Sequence, residues 1–282
     1  MNVSVQILTY NEAENLPRCL KALEGFDDIW ILDSGSNDET VDIAKSAGVQ
    51  VLVRSFDDFA NQRNYGLQNA NFKHEWVLHL DADEVVTPEL KAELVSLDET
   101  LAKDGYFIAS RLMLGQRWLR HSGMYPSYQA RLGHAKRFYF VQSGHGQREG
   151  IPAEKMGHLK HSYLHYNFSH GLKRWFQKHV QYAEDEANQI IRNRIAEHSA
   201  QSANVSGSDE VSKRRKLKSL SEKLPSVLRP FARFIYIYIL RKGFLDGYAG
   251  LQYAFMISVY EGMIAVFLMF EKMNRRASQT EK

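Results

Sequence analysis

Val3-Ser4-Val5-Gln6-Ile7-Leu8-Thr9-Tyr10-Asn11-Glu12 opens the chain with a β-branched, apolar run that stops abruptly in polar residues. Such a run favours a pleated, buried strand, here Val3–Leu8. Downstream, Glu14–Leu23 carries Leu16, Leu20 and Leu23 at helical spacing. Ile29–Asp33, Val49–Val53 and Trp76–Asp81 repeat the strand pattern. A helix through Val41, Ile43 and Ala44 fits between the second and third strands, with Ser36 or Asn37 as its expected cap and Gly48 as its stop. Strand–helix–strand units of this length imply a mostly parallel sheet with right-handed crossovers, an α/β fold.

The 282 residues suffice for one large domain or for one domain with an appendage. An apolar share of 44% beside 24% charged residues excludes a disordered or collagen-like chain. Cys19 is the only cysteine, which excludes a disulfide framework and suits a reducing compartment. The first residues lack the basic and apolar regions of a secretory signal. Charge is unevenly spread. Residues 1–100 hold 7 Lys and Arg against 19 Asp and Glu, whereas the remainder hold 29 against 14. The second part is therefore expected to face an anionic partner.

Short aromatic strands, Tyr106–Ala109 and Arg137–Val141, precede a helix expected from Leu172 to about Glu197. Residues 197–212 contain five serines and read as a linker, dividing a domain over 1–212 from a helical region over 213–282. Lys213–Lys242 carries ten Lys and Arg against Glu222 alone, interleaved with aromatic residues. Gly250–Phe270 then runs 21 residues with one charge, Glu261. Glu261, Gln252 and Ser258 favour an amphipathic helix lying on an anionic membrane surface over a spanning one. A core helix or a homo-oligomer interface is the plainer use of the same run. Nucleic acid ranks last, since no recognised binding module is evident.

Ligands of open parallel sheets bind outside the carboxyl ends of the strands. There stand Thr9-Tyr10-Asn11-Glu12, Asp33-Ser34-Gly35-Ser36-Asn37-Asp38 and Asp81-Ala82-Asp83-Glu84. Each alone is readable as a cap, a turn or a solvated exit; together they mark a site. Asp81 and Asp83, flanking one small residue, converge readily on a hard cation. Neither G-x-G-x-x-G nor G-x-x-x-x-G-K-[ST] occurs, so any phosphates must be neutralised by other means.

These three clusters resemble family-2 glycosyltransferases of the GT-A fold. Gln62-Arg63-Asn64 and Gly243-Phe244-Leu245-Asp246-Gly247 narrow the resemblance to bacterial enzymes that add hexoses to lipopolysaccharide-core or exopolysaccharide intermediates. The resemblance implies that Thr9, Tyr10, Asn11 and Glu12 line a nucleoside pocket, with Asp33 accepting from the base. It implies Asp81 on ribose or metal, Asp83 ligating Mg²⁺ or Mn²⁺, and Arg63 holding a diphosphate. Donor and acceptor would be a nucleotide sugar and a lipid-linked or lipopolysaccharide-core saccharide, met peripherally at the cytoplasmic face of the inner membrane. An inverting transfer also needs a base. Gly144-His145-Gly146-Gln147-Arg148-Glu149 offers two, and Glu149 is preferred over His145; the three residues between them depart from the directly adjacent pair of related enzymes.

His158, His161, His165 and His170 are expected to be buried or to line the acceptor, and completion of the metal shell by one of them is the lesser alternative. Trp175, Lys178 and His179 are expected on the following helix, facing the acceptor or packed. The rival functions are a metal-dependent nucleotidyltransferase, a retaining transferase and a non-catalytic membrane scaffold.

Overall fold

The computed structural model describes residues 2–97, 103–143, 146–199 and 225–280. The chain divides into two compact units, one of residues 1–118 and 124–169, the other of residues 119–123 and 170–282.

In the first unit, β1 (Val3–Thr9), β2 (Ile29–Asp33), β3 (Gln50–Val53) and β4 (Trp76–Asp81) are parallel neighbours in the order β3-β2-β1-β4. The sheet continues through β8 (Ser127–His134), β6 (Gly105–Leu114), β11 (Met156–His165) and β5 (Glu84–Val85), and β7 (Arg117–Trp118) pairs with β6. Only β8, β5 and β7 run against the rest. Helices α1 (Leu16–Ala22), α2 (Thr40–Ser46), α3 (Phe59–Asn69) and α4 (Pro88–Val95) flank the sheet. A separate hairpin is made by β9 (Phe140–Ser143) and β10 (Gly146–Glu149).

Alternation along β1 and β4 explains the layering. Val3, Val5, Ile7, Trp76, Leu78 and Leu80 point to one face and bury with Leu16, Leu23 and Leu90. Truncating one such leucine costs about 2–5 kcal/mol. The other face is polar yet buried: Gln6 and His79 are 1% and 0% exposed. Helix α3 covers that face with Gln62, Arg63 and Gly66, and a Cβ at Gly66 would lie 1.9 Å from Gln6 Nε2. Asp58 caps α3 by accepting from the Asn61 amide at 2.7 Å. The expected cap of α2 does not form. That helix starts at Thr40 after Glu39 with no side-chain cap, because Ser36 is held by Asp33 and Asn37 by Asn11.

The second unit contains α5 (Gly171–Ser199), α6 (Arg229–Ile235) and α7 (Tyr248–Thr280). Ala183, Ala187 and Ile190 of α5 pack against Ile264 and Leu268 of α7. Glu261, midway along α7, accepts from Arg229 at 3.0 Å, and both side chains are largely buried. Residues Gly243–Asp246 form a 3-10 turn that leads into α7. Asp246 accepts from the amide and hydroxyl of Ser122 at 2.8 and 2.6 Å, and from the ring and amide of His121. Gly247 supplies a φ of +69°, and a Cβ at Gly250 would stand 2.0 Å from the Gly243 carbonyl oxygen. Among the described residues, Tyr248–Asn274 is the one helix long and apolar enough to cross a membrane. Of the expected linker over 197–212, residues 197–199 close α5, and 200–212 lie outside the described residues.

Candidate active site

Register brings the strand ends level: Thr9 stands beside Asp33, and Leu8 beside Asp81. This is the edge where strand order changes direction, from β2 on one side of β1 to β4 on the other.

Asp33, 1% exposed, organises the β1–β2 side. One oxygen accepts from Thr9 Oγ1 at 2.8 Å and Ser36 Oγ at 2.6 Å; the other accepts from the Gly35 and Ser36 amides at 2.9 and 2.7 Å. Four donors fill the lone pairs of a carboxylate. Asn11 adopts a left-handed φ of +54°, donates its amide to Ser36 Oγ and accepts from the Asn37 amide. Glu12 donates its amide to Thr40 Oγ1 and accepts from Asn15. Tyr10 points outward from this knot, 52% exposed.

The β4 side is built on charge. Asp81 receives Arg63 at 2.6 Å on one oxygen and Arg131 at 2.7 Å on the other. Arg131 also reaches Glu84 at 2.5 Å, and the second Glu84 oxygen accepts from the Asp81 amide. Two cations and two anions thus neutralise one another, with Arg63 and Glu84 wholly buried and Asp81 keeping 34% exposure. Burial alone would raise the Asp81 carboxyl; Arg131 and Arg63 outweigh it and hold it well below the usual range. For Glu84, burial and the nearby Asp81 prevail over Arg131, so its pKa is raised. Burial lowers Arg63 to about 10, which leaves it protonated at neutral pH. Beneath them, burial and then Arg63 and Arg131 push the His79 pKa well below its ordinary value, and among the described residues neither ring nitrogen has a hydrogen-bond partner.

Asp83 stands apart from this quartet. Its Oδ2 lies 3.4 Å from His165 Nε2, each side chain about one-fifth exposed. Burial would lower the His165 pKa, but Asp83, followed by Glu84 and Asp81, raises it to about 9. A divalent cation held by the Asp83 carboxylate and His165 Nε2 would have to displace the proton that His165 carries at neutral pH. Among the described residues no three His, Cys, Asp or Glu side chains cluster as a metal set.

Each residue of Gln62-Arg63-Asn64 has a separate duty. Gln62 donates to Ser34 Oγ and the Arg54 carbonyl, Arg63 supports Asp81, and Asn64 exchanges two hydrogen bonds with the Phe140 backbone. Arg63 is buried beneath Asp81 rather than extended from the surface. Glu149, half-buried on β10, pairs with Phe140 across the hairpin. His145 lies outside the described residues. His158 packs between Phe107 and Tyr128, and His161 pairs with Glu93. On α5, Trp175 is buried, the His179 ring stacks on it at 3.6 Å and Lys178 lies over Tyr182.

Sequence reasoning missed Arg131, His79 and the pairing of His165. An arginine among the inward positions of a central strand was the available signal for the first.

The chain belongs to Glycosyl transferase family 2, which its residues 4–146 match. An uncharacterized glycosyltransferase of Rickettsia bellii is 31% identical over 105 residues, 37% of this chain and 35% of that protein. Glycosyltransferase SunS of the SPbeta prophage in Bacillus subtilis is 31% identical over 103 residues, 35% of this chain and 24% of that protein. The chain thus spans about a third of the length of the Rickettsia relatives it matches. Among solved structures, S. aureus TarS 1-349 is 13% identical with a TM-score of 0.45, covering 97% of this chain and 92% of that one. Glucosyl-3-phosphoglycerate synthase from Mycobacterium tuberculosis, crystallised with Mn²⁺, UDP-glucose and glycerol 3-phosphate, is 17% identical with a TM-score of 0.36, covering 48% and 57%.

Proposed function

We propose that the chain is an inverting, metal-dependent glycosyltransferase. It moves a hexose from a nucleotide sugar, by preference a UDP-sugar, to a lipid-linked saccharide or lipopolysaccharide-core acceptor. The observation that carries this reading is that Thr9, Asp33 and Asp81 close neighbouring parallel strands at the same edge, with Asp83 two residues beyond.

In this reading Tyr10 offers its exposed ring to the base, and Asn11 and Glu12 line the nucleoside pocket. Asp33 contributes through the Gly35–Ser36 turn it holds. Asp81 meets the ribose, and Arg63 acts through Asp81 rather than on the diphosphate. Asp83 and His165 hold Mg²⁺ or Mn²⁺. When bound, such a cation offsets the charge that develops on a departing nucleoside diphosphate. Glu149 takes the proton of the attacking hydroxyl, with His145 as the alternative base. The basic and apolar second unit keeps the enzyme on the anionic cytoplasmic face of the inner membrane as a peripheral protein.

Calorimetric titration with UDP-, GDP-, CMP- and dTDP-sugars, with Mn²⁺ and with chelator, tests the reading. Binding of one nucleotide sugar that disappears with chelator is expected. A folded chain that binds none of them refutes the donor site.

A further inference from the structure

We infer that the groove walled by α6 and α7 seats a single hydrocarbon chain, that of the phosphate-bearing lipid which carries the acceptor. The inference rests on the glycosyl-transfer reading for the identity of that lipid. The groove has a volume of about 1250 Å³. Phe231, Phe234 and Ile235 form one wall, and Tyr248, Phe255 and Val266 lie along the other. From Tyr248 to Val266 the helix advances about 27 Å at its standard rise, so the depression is long and suits a chain rather than a compact group.

The lining offers little to a polar ligand. Ser258 donates its hydroxyl to the Ala254 carbonyl of its own helix at 2.8 Å. Gly262 gives the groove depth: a Cβ there would lie 3.7 Å from Pro230 Cγ, so a larger side chain would project into the space. Phe231 and Phe255 are each 65% exposed and Val266 59%, a contiguous apolar surface of the kind that marks an interaction site.

Charge identifies the head. Arg229 and Arg233 are engaged by Glu261, whereas Arg241 and Lys242 have no acidic partner among the described residues. They directly precede Gly243, whose carbonyl packs against Gly250, two residues into the helix from Tyr248. Two cations with no acidic partner among the described residues, close in the chain to an apolar channel, complement a phosphate on a hydrocarbon tail. Residues 200–224 make a poor filling, since they hold six Lys and Arg against five Val and Leu. Withdrawing α7 to span a bilayer alone would break the Arg229–Glu261 pair.

The test uses the full chain and farnesyl diphosphate below its micellar concentration, read by calorimetry beside inorganic diphosphate. Gly262→Phe and Val259→Trp fill the groove while keeping its surface apolar. Wild type should bind farnesyl diphosphate at least about tenfold more tightly than inorganic diphosphate. Both variants should lose about tenfold, with unchanged thermal midpoints and unchanged flotation on phosphatidylglycerol vesicles. Equal affinity in wild type and both variants overturns the proposal. So does vesicle flotation without farnesyl diphosphate binding, which gives the groove to bulk lipid. So does a wild-type dimer that Gly262→Phe dissociates, which gives it to a second copy. Nucleotide-sugar titration separates the two readings: a chain that binds the prenyl probe but no nucleotide sugar keeps the groove and loses the transferase assignment.

Discussion

The Asn64 side chain and the Phe140 backbone exchange two hydrogen bonds, each 2.8 Å long. Phe140 pairs in turn with Glu149, so one turn of α3 both supports Asp81, through Arg63, and anchors the hairpin that bears the proposed base. Asn64→Ala leaves a backbone donor and acceptor without partners, at a cost of about 1–3 kcal/mol. Transfer should fall about 10- to 100-fold through misplacement of Glu149, while nucleotide-sugar affinity stays unchanged. Parallel turnover and donor titrations check this; equal losses in both would show that Asn64 serves the whole sheet edge.

Glu149→Gln separates positioning from chemistry. The amide keeps the shape of the side chain but accepts no proton, so turnover should drop about 10²- to 10⁴-fold with donor binding intact. A fully active variant moves the base elsewhere, His145 being the first alternative.

Arg131 joins Asp81 and Glu84, and its removal leaves two carboxylates sharing one buried site. Arg131→Leu is therefore expected to cost about 3–5 kcal/mol in urea unfolding. Adding Glu84→Gln should recover part of that loss by removing one of the stranded charges. If the double variant is no more stable than the single one, charge is not what binds the quartet.

The strands and their polar ends were legible because each depends on local pattern. Val3, Val5 and Ile7 alternate, and Thr9, Asp33 and Asp81 fall where the apolar runs stop. What escaped was whatever depends on a partner far along the chain. Arg63 looks like a free cation until the fold sets Asp81 against it, 18 residues away, and Arg131 is 50 residues from the same carboxylate. Ser36 is a good cap by composition, yet Asp33 and Asn11 compete for it and win. At i, i+4 His161 and His165 would be close neighbours on a helix, but both lie on the extended β11, where one pairs with Glu93 and the other with Asp83.

Among the described residues the Asp83 side chain pairs with His165, and its carboxylate is partly open, unlike the committed Asp81. Asp83→Ala should abolish the chelator-sensitive part of donor binding and cost less stability than Asp81→Ala, because it breaks one ion pair rather than two. Asp81→Ala should instead unfold at markedly lower urea, because Arg63 and Arg131 lose their shared anion. Similar stability losses in both variants would erase the distinction drawn between the two carboxylates.

Asp246 makes the second unit sensitive to acid. Burial alone would raise its carboxyl, but the hydroxyl and amide of Ser122 and the ring and amide of His121 prevail and hold it below the ordinary 3.8. A carboxyl depressed on folding binds its proton more weakly in the folded chain than in the unfolded one. Its stabilisation is therefore complete above the unfolded pKa and disappears as pH falls through the folded one. Asp246→Asn should cost about 1–3 kcal/mol at neutral pH, since the amide cannot accept all four donors. The gap between variant and wild type should then narrow as the solution is acidified below the ordinary carboxylate range. Urea unfolding at pH 7 and near pH 3 measures that gap, and a gap that is constant or widens on acidification would contradict the assignment of Asp246 as the ionised anchor of His121 and Ser122.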